Sequence, residues 1–300
     1  MNKPLHDFLY HLENERNYSL KTIDSYRRDI EKFYAFLLHE GIKDDDVDLI
    51  VIRNFLTNEL LSEVSKRSCK RRLCALNHYY RYLLKEGYVD YNPFEFVISP
   101  KVKTKYPSAL DASQIDQLLL ENSRRTDELM VRDQAILEVL YYSGIRASEL
   151  VGLKLSDINF RQRYFRVLGK GNKERLTPFT EECSEWLNRY VKESRPVLAS
   201  RNEEIPIHLF LNHNGKPLTT RGLEHILTQV QEKTGLMLGL HPHLLRHTFA
   251  THLLENGANL REIQELLGHE SINATQVYTH VTESNMRNEY LKSHPRAKRK

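Results

Sequence analysis

Cysteine is scarce. Cys69, Cys74 and Cys183 are the three in 300 residues, odd in number and with no CxxC pair. That argues against a disulfide framework and a zinc ribbon, and suits reduced thiols. Long apolar runs are missing: none approaches the ~20 residues of a spanning helix. A mean hydropathy of −0.57 and 28% charged residues fit a soluble chain. The opening MNKPLHDFLYHLENERN has no apolar signal core and carries acids early, so the expected location is the cytoplasm. GxxxxGK[ST] is absent, which excludes a P-loop, and HExxH is absent, which removes the commonest helical zinc motif. No internal repeat or low-complexity segment appears.

Acid is missing from one stretch in particular. Lys66–Lys85 reads KRSCKRRLCALNHYYRYLLK, with seven Lys or Arg and no Asp or Glu, although the net charge of the whole chain is only +4. A run of this kind is either a solvated helix face or a helix laid in a DNA groove. In the second reading Lys66, Arg67, Lys70, Arg71 and Arg72 meet phosphates, while Asn77, His78 and Tyr79 reach towards bases.

What is present is helix periodicity. Leu5, Phe8, Leu9 and Leu12 make a first stripe; Ile23, Tyr26, Ile30, Phe33 and Leu37 a second, capped by Ser19 and stopped at Gly41. Val51, Phe55, Leu56 and Leu60 predict a third helix. Leu73, Leu76, Tyr80 and Leu83 predict a fourth over 65–86. These four suit a small bundle over residues 1–92. Pro93 and Pro100 break helix, and the aperiodic, basic 93–107 reads as a linker. The remaining 108–300 opens on Asp111 and Gln114, spaced as a capping box. Alternation around Ile158, Tyr164–Val167 and Leu176 predicts a hairpin whose turn is Gly169-Lys170-Gly171-Asn172-Lys173. Glu181–Ser194 reads as helix and 195–204 as loop. A further helix runs from Thr219 or Thr220 to Gly235. The expected fold is mainly α with a small antiparallel β-sheet in the second domain.

The segment from His241 to His280 gathers groups that bind or attack phosphate. His243 and Arg246 open a helix whose other face, with Leu244, Leu245, Phe249 and Leu253, is core. A second helix stops at Gly268, with His269 directly behind it, and Tyr278 follows. Upstream, Gly144 allows a sharp reversal that places Arg146 at a new helix start, in reach of Glu149. His243 and His247 lie at metal-ligand spacing, but Arg246 between them opposes a cation, so no metal or other cofactor is expected. His247 and His252 are read as structural.

Together these residues resemble the tyrosine recombinase (phage integrase) family. The family pattern is an arginine after a helix-ending glycine, a hairpin lysine, a His-x-x-Arg, a Gly-His and a tyrosine nine residues later. Here it is met by Gly144-Ile145-Arg146, Lys170, His243 with Arg246, Gly268-His269 and Tyr278. The resemblance covers essentially the whole chain and leans to the Xer subgroup, of XerC-like type. It implies a two-domain C-shaped clamp on double-stranded DNA: an N-terminal SAM-like core-binding domain and a C-terminal catalytic domain. It also implies a 3′-phosphotyrosyl intermediate formed by Tyr278. His243 would act as base, Arg146, Arg246 and His269 as oxyanion donors, Lys170 as acid on the leaving oxygen, and Glu149 as the orienter of Arg146. A tetramer on DNA is implied, alone or with a second Xer recombinase, and a translocase of the FtsK type as a possible activator. Its last helix, with Met286, Tyr290 and Leu291, would dock in a neighbouring protomer. The implied role is chromosome-dimer resolution at a dif-like site, with integration of a mobile element or plasmid resolution as the alternative. A type IB topoisomerase-like enzyme and a non-catalytic helix-turn-helix protein are the more distant readings. A phage integrase's extra arm-binding domain has no room before Ser19.

Overall fold

A computed structural model describes residues 3–98, 109–169, 174–268, 290, 293 and 294, apart from the Asp45 side chain. The chain divides into two compact units, Met1–Tyr106 and Pro107–Lys300. Both are built mainly from helices, and among the described residues no helix is long and apolar enough to cross a membrane.

The first unit contains α1 (Lys3–Asn14), α2 (Leu20–Glu40), α3 (Leu49–Leu61) and α4 (Lys66–Lys85). Their starts are fixed locally. Ser19, Asp48 and Ser65 each accept backbone N–H groups of the first turn, and Gly41 ends α2 in the left-handed conformation. Phe33 is the hub of the core, edge-on to Phe55 at 5.0 Å and to Phe94 at 5.5 Å. The α3 stripe differs from expectation. Ile52, Phe55 and Glu59 are buried, Val51 and Leu56 are half-buried and Leu60 is exposed, because Glu59 is drawn inward by cations of α2 and α4. The end of the unit differs too. Pro93–Phe96 is a 3₁₀ turn capped by Asn92, with Phe94 in the core, so the chain leaves the first unit later than a linker starting at Pro93 implies.

The second unit is organised around α6 (Met130–Ser143), buried on nearly every side and therefore not amphipathic. It packs against α5 (Ala112–Ser123), α8 (Glu181–Arg189) and α11 (Pro242–Glu255). Asp111 and Gln114 form the anticipated capping box of α5. After α7 (Ala147–Gly152) comes a three-stranded antiparallel sheet: β1 (Ile158–Asn159), β2 (Tyr164–Leu168) and β3 (Glu174–Pro178), in that order. Phe165 faces Thr177 and Val167 faces Arg175 in the hairpin register. The loop expected at 195–204 begins instead as helix: α8 runs through a π turn, Tyr190–Ser194, into α9 (Arg195–Ala199). Arg195 holds it by donating to the carbonyls of Pro206, His208 and Leu209. Then follow α10 (Thr220–Thr234), capped by Thr219, and α12 (Leu260–Leu267).

Tyr290 joins the apolar cluster of Phe249, Leu253 and Ile263. Its ring is buried, 6.3 Å from Phe249, and its hydroxyl donates to the Tyr142 carbonyl at 2.8 Å. Met286 and Leu291 lie outside the described residues.

Candidate active site

Arg146 is placed by a reversal that only glycine tolerates well. Gly144 ends α6 at φ +57°, and a Cβ there would run into the Phe249 ring. Two residues later Arg146 stands at the N-cap of α7. Glu149, one turn on, folds back: its Oε2 accepts the Arg146 backbone N–H at 2.8 Å and its Oε1 accepts Nη1 at 2.8 Å.

Arg246 comes from α11. The start of that helix is set by Pro242 in its first turn and by His241, whose Nδ1 accepts the Leu244 N–H at 3.1 Å. Burial and the neighbouring His243 push the His241 imidazole down, against the opposing pull of Glu224. His243 is exposed, one turn before Arg246. Arg246 itself is 7% exposed and donates to the Gly144 carbonyl and the Leu267 carbonyl, both at 2.6 Å.

The two arginines converge on the end of α12. Arg146 Nη2 donates to the Gly268 carbonyl at 2.8 Å, next to the carbonyl of Leu267 held by Arg246. A third guanidinium, unforeseen in the sequence, completes the row. Arg175 of β3 donates from Nε to the Leu266 carbonyl at 3.2 Å, and from Nη1 and Nη2 to the two Glu149 oxygens at 2.9 and 2.8 Å. Three consecutive carbonyls at the negative end of α12 are thus each met by an arginine, a favourable arrangement for a helix C-terminus. The only sequence signal for Arg175 is an arginine on a strand beside a hairpin lysine; its partner Glu149 is too distant in sequence for any spacing rule.

The electrostatics are lopsided. Among the described residues Arg146 and Arg175 share the Glu149 carboxylate, and the carbonyls that Arg246 meets neutralise nothing. Burial works to raise the Glu149 carboxyl, but hydrogen bonds from Arg175 and from the Arg146 backbone, with the charges behind them, hold it down at about 2. Burial, then repulsion by Arg146, lowers Arg246 to about 10. It stays charged at neutral pH, and an anion placed here relieves the repulsion.

Lys170, His269 and Tyr278 lie outside the described residues, so Arg146, Glu149 and Arg246 are the members of the expected set brought together here. His252 is structural: its Nε2–H donates to the Leu110 carbonyl at 2.8 Å, leaving Nδ1 to accept from the Tyr141 hydroxyl at 3.0 Å. His247 is exposed.

On α4 of the first unit the basic residues divide. Lys66, Arg67, Lys70 and Arg71 are exposed, Arg71 also pairing with Asp29. Arg72 is a correction: it is buried, and its guanidinium is enclosed between Asp29 and Glu59, out of reach of a phosphate. Asn77 and His78 are half-buried and engaged internally. Asn77 Oδ1 accepts from Asn92 Nδ2 at 2.7 Å, and His78 Nδ1 bonds the Tyr26 hydroxyl at 3.1 Å. Burial, then Arg81 and Arg16, pushes the His78 imidazole down.

Comparison with known proteins bears on both units. Residues 108–285 match the Phage integrase family, and residues 5–87 match the Phage integrase N-terminal SAM-like domain. The chain is 44% identical over 291 residues to Tyrosine recombinase XerC of Oceanobacillus iheyensis, covering 97% of this chain and 95% of that one. It is 43% identical to Tyrosine recombinase XerC of Anoxybacillus flavithermus, with 99% of each covered. The fold is similar to that of the Tn1549 transposon integrase in complex with circular intermediate DNA, with a TM-score of 0.71 at 20% identity over 94% of this chain and 98% of that one. It is also similar to the XerH site-specific recombinase bound to palindromic difH substrate, with a TM-score of 0.70 at 20% identity over 96% and 84%. With both units matched by family models and with relatives of one name over nearly the whole chain, the chain belongs to the phage integrase family, among the XerC-like tyrosine recombinases.

Proposed function

We propose that this site-specific DNA recombinase opens its target phosphodiester with Tyr278. The phenolic oxygen attacks phosphorus, the bond to the 5′-oxygen breaks, and a 3′-phosphotyrosyl link remains. The phenol's proton passes to His243, and Lys170 supplies the proton taken up by the departing 5′-oxygen. Arg146, Arg246 and His269 hold the non-bridging oxygens as charge grows on them. Attack by a 5′-hydroxyl of the partner strand reverses the chemistry, so no ATP is consumed. In the full reaction four protomers on two double-stranded sites exchange one strand pair, pass through a Holliday junction and exchange the other. Cytoplasmic resolution of chromosome dimers at a dif-like site is the role this reading assigns. A second Xer recombinase and an FtsK-type translocase are the partners to test.

One observation carries the reading. Two guanidiniums delivered from distant segments, Arg146 and Arg246, meet at one helix end with a third beside them, and among the described residues Glu149 is the carboxylate paired within the row. That is a site with positive charge in excess, suited to a phosphate. A zinc-site or purely helix-turn-helix reading gives this cluster no task.

The test is a nicked duplex carrying a dif-like site, on which cleavage traps the covalent complex. The wild-type chain should form a denaturation-resistant protein–DNA adduct in EDTA, and Tyr278→Phe should bind the same duplex yet form none. An adduct on Tyr278→Phe, or its loss from the wild type in EDTA, would overturn the assignment.

A further inference from the structure

Arg175 is the member of the arginine row that the reaction above leaves without a task, and its geometry differs from that of the other two. Its side chain is 15% exposed, against 33% for Arg146. Both of its terminal nitrogens go to Glu149 and its Nε goes to the Leu266 carbonyl. Each of the three guanidinium nitrogens thus donates to protein, which sets Arg175 apart as a structural support rather than a substrate clamp.

Glu149, in turn, is saturated. Oε1 accepts from Arg146 Nη1 and Arg175 Nη1, and Oε2 accepts from the Arg146 backbone N–H and Arg175 Nη2. A carboxylate has about four acceptor positions, and all are filled by two arginines from different elements. Gly268 allows this approach: at φ +64° it lacks a side chain, and a Cβ there would stand 3.3 Å from Arg175 Cδ.

We infer that Arg175 is a positioning residue for strand cleavage, which shares the Glu149 carboxylate so that Arg146 is oriented by it without being captured by it. The inference rests on the function proposed above and deepens it. With Arg175 present, Arg146 gives Glu149 one side-chain hydrogen bond and keeps a second for the end of α12. Without it, a carboxylate only 5% exposed has one guanidinium left to answer its whole charge. Arg146 then closes on Glu149 as a bidentate pair, the geometry that arginine and carboxylate prefer. The donors meant for a phosphate are turned away, and the Leu266 carbonyl loses its partner as well. The cost falls on the chemical step and not on DNA affinity, because the charge of Arg175 is buried behind Glu149.

The experiment is a double-mutant cycle on the cleavage rate at saturating nicked duplex, with affinity measured in parallel. Arg175→Gln should lower the rate about 100-fold with affinity changed less than about threefold, a loss typical of a displaced oxyanion donor. Arg175→Lys, which keeps the charge but not the fork, should fall in between. On a Glu149→Gln background, whose neutral amide cannot capture Arg146, the further loss from Arg175→Gln should shrink below about threefold, the non-additivity expected of one coupled unit. Equal losses on both backgrounds would overturn the inference, since a merely structural arginine gives multiplicative effects. So would an Arg175→Gln rate equal to wild type. If Arg175→Gln does not fold, the same cycle run with Arg175→Lys decides by the same criterion. A wild type that forms no adduct sinks the recombinase reading itself; a wild type that cleaves, with variants that cleave as fast, sinks this inference alone.

Discussion

Two arginine clusters, one in each unit, use the same side chain to opposite ends. In the first unit Arg71, Arg72 and Lys32 meet Asp29 and Glu59. Three cations face two acids, and the paired charges stitch α2, α3 and α4 together. In the second unit, among the described residues, Arg146 and Arg175 pair with Glu149, and Arg146, Arg175 and Arg246 also donate to uncharged carbonyls at the end of α12 and, for Arg246, at Gly144. Burial does not separate the two: Arg72 is 9% exposed and Arg246 7%. The separation lies in what the hydrogen bonds end on. Carboxylates satisfy both the donors and the charge, whereas carbonyls satisfy the donors and leave the charge to attract an anion.

That contrast can be broken experimentally. The largest effect is expected at the carbonyl-held cluster. Arg246→Gln should reduce the single-turnover rate of covalent adduct formation about 100- to 1,000-fold, while gel-shift affinity for the duplex stays within a few-fold. A rate within tenfold of wild type would place the phosphate elsewhere. Next comes the acid-held cluster. Arg72→Met leaves Asp29 and Glu59 short of a buried partner and should cost about 3 kcal/mol in urea unfolding. Once folded, it should cleave saturating DNA as fast as wild type. A cleavage defect without a stability defect would move Arg72 from the fold to the DNA. The smallest effect belongs to the exposed part of α4. Lys66→Gln with Lys70→Gln should weaken DNA binding only a few-fold and lower the slope of log affinity against log salt by about two, roughly one per lost phosphate contact. An unchanged slope would make this face a solvated surface.

Legibility in the sequence followed the range of the interaction. Ser19 and Asp111 were readable as caps because a cap is decided within one turn. Gly144 was readable as a reversal for the same reason. The α3 stripe was misjudged because an apolar period cannot reveal that Glu59 is pulled inward by Lys32 and Arg72. Arg195 was misjudged because its carbonyl partners at 206–209 are supplied by a returning loop. Arg72 and Arg71 are adjacent in sequence and equally basic, yet a helix rotates neighbours by about 100°, so Arg71 reaches Asp29 from the exposed side while Arg72 is buried between Asp29 and Glu59.

The sequence alone determined the helical character of both units, the stops at Gly144 and Gly268, and the spacing that made Arg146, His243 and Arg246 candidates. Those are matters of backbone conformation and periodicity, which a few neighbouring residues settle. Only the tertiary structure decided that the guanidiniums of Arg146, Arg175 and Arg246 would line up on three successive carbonyls of α12, and that Glu149 would be shared rather than private. Such assignments turn on which buried charge finds which partner at separations of 21 to 122 residues, and the energy of that choice exists only once water has been excluded and the partners have been brought together.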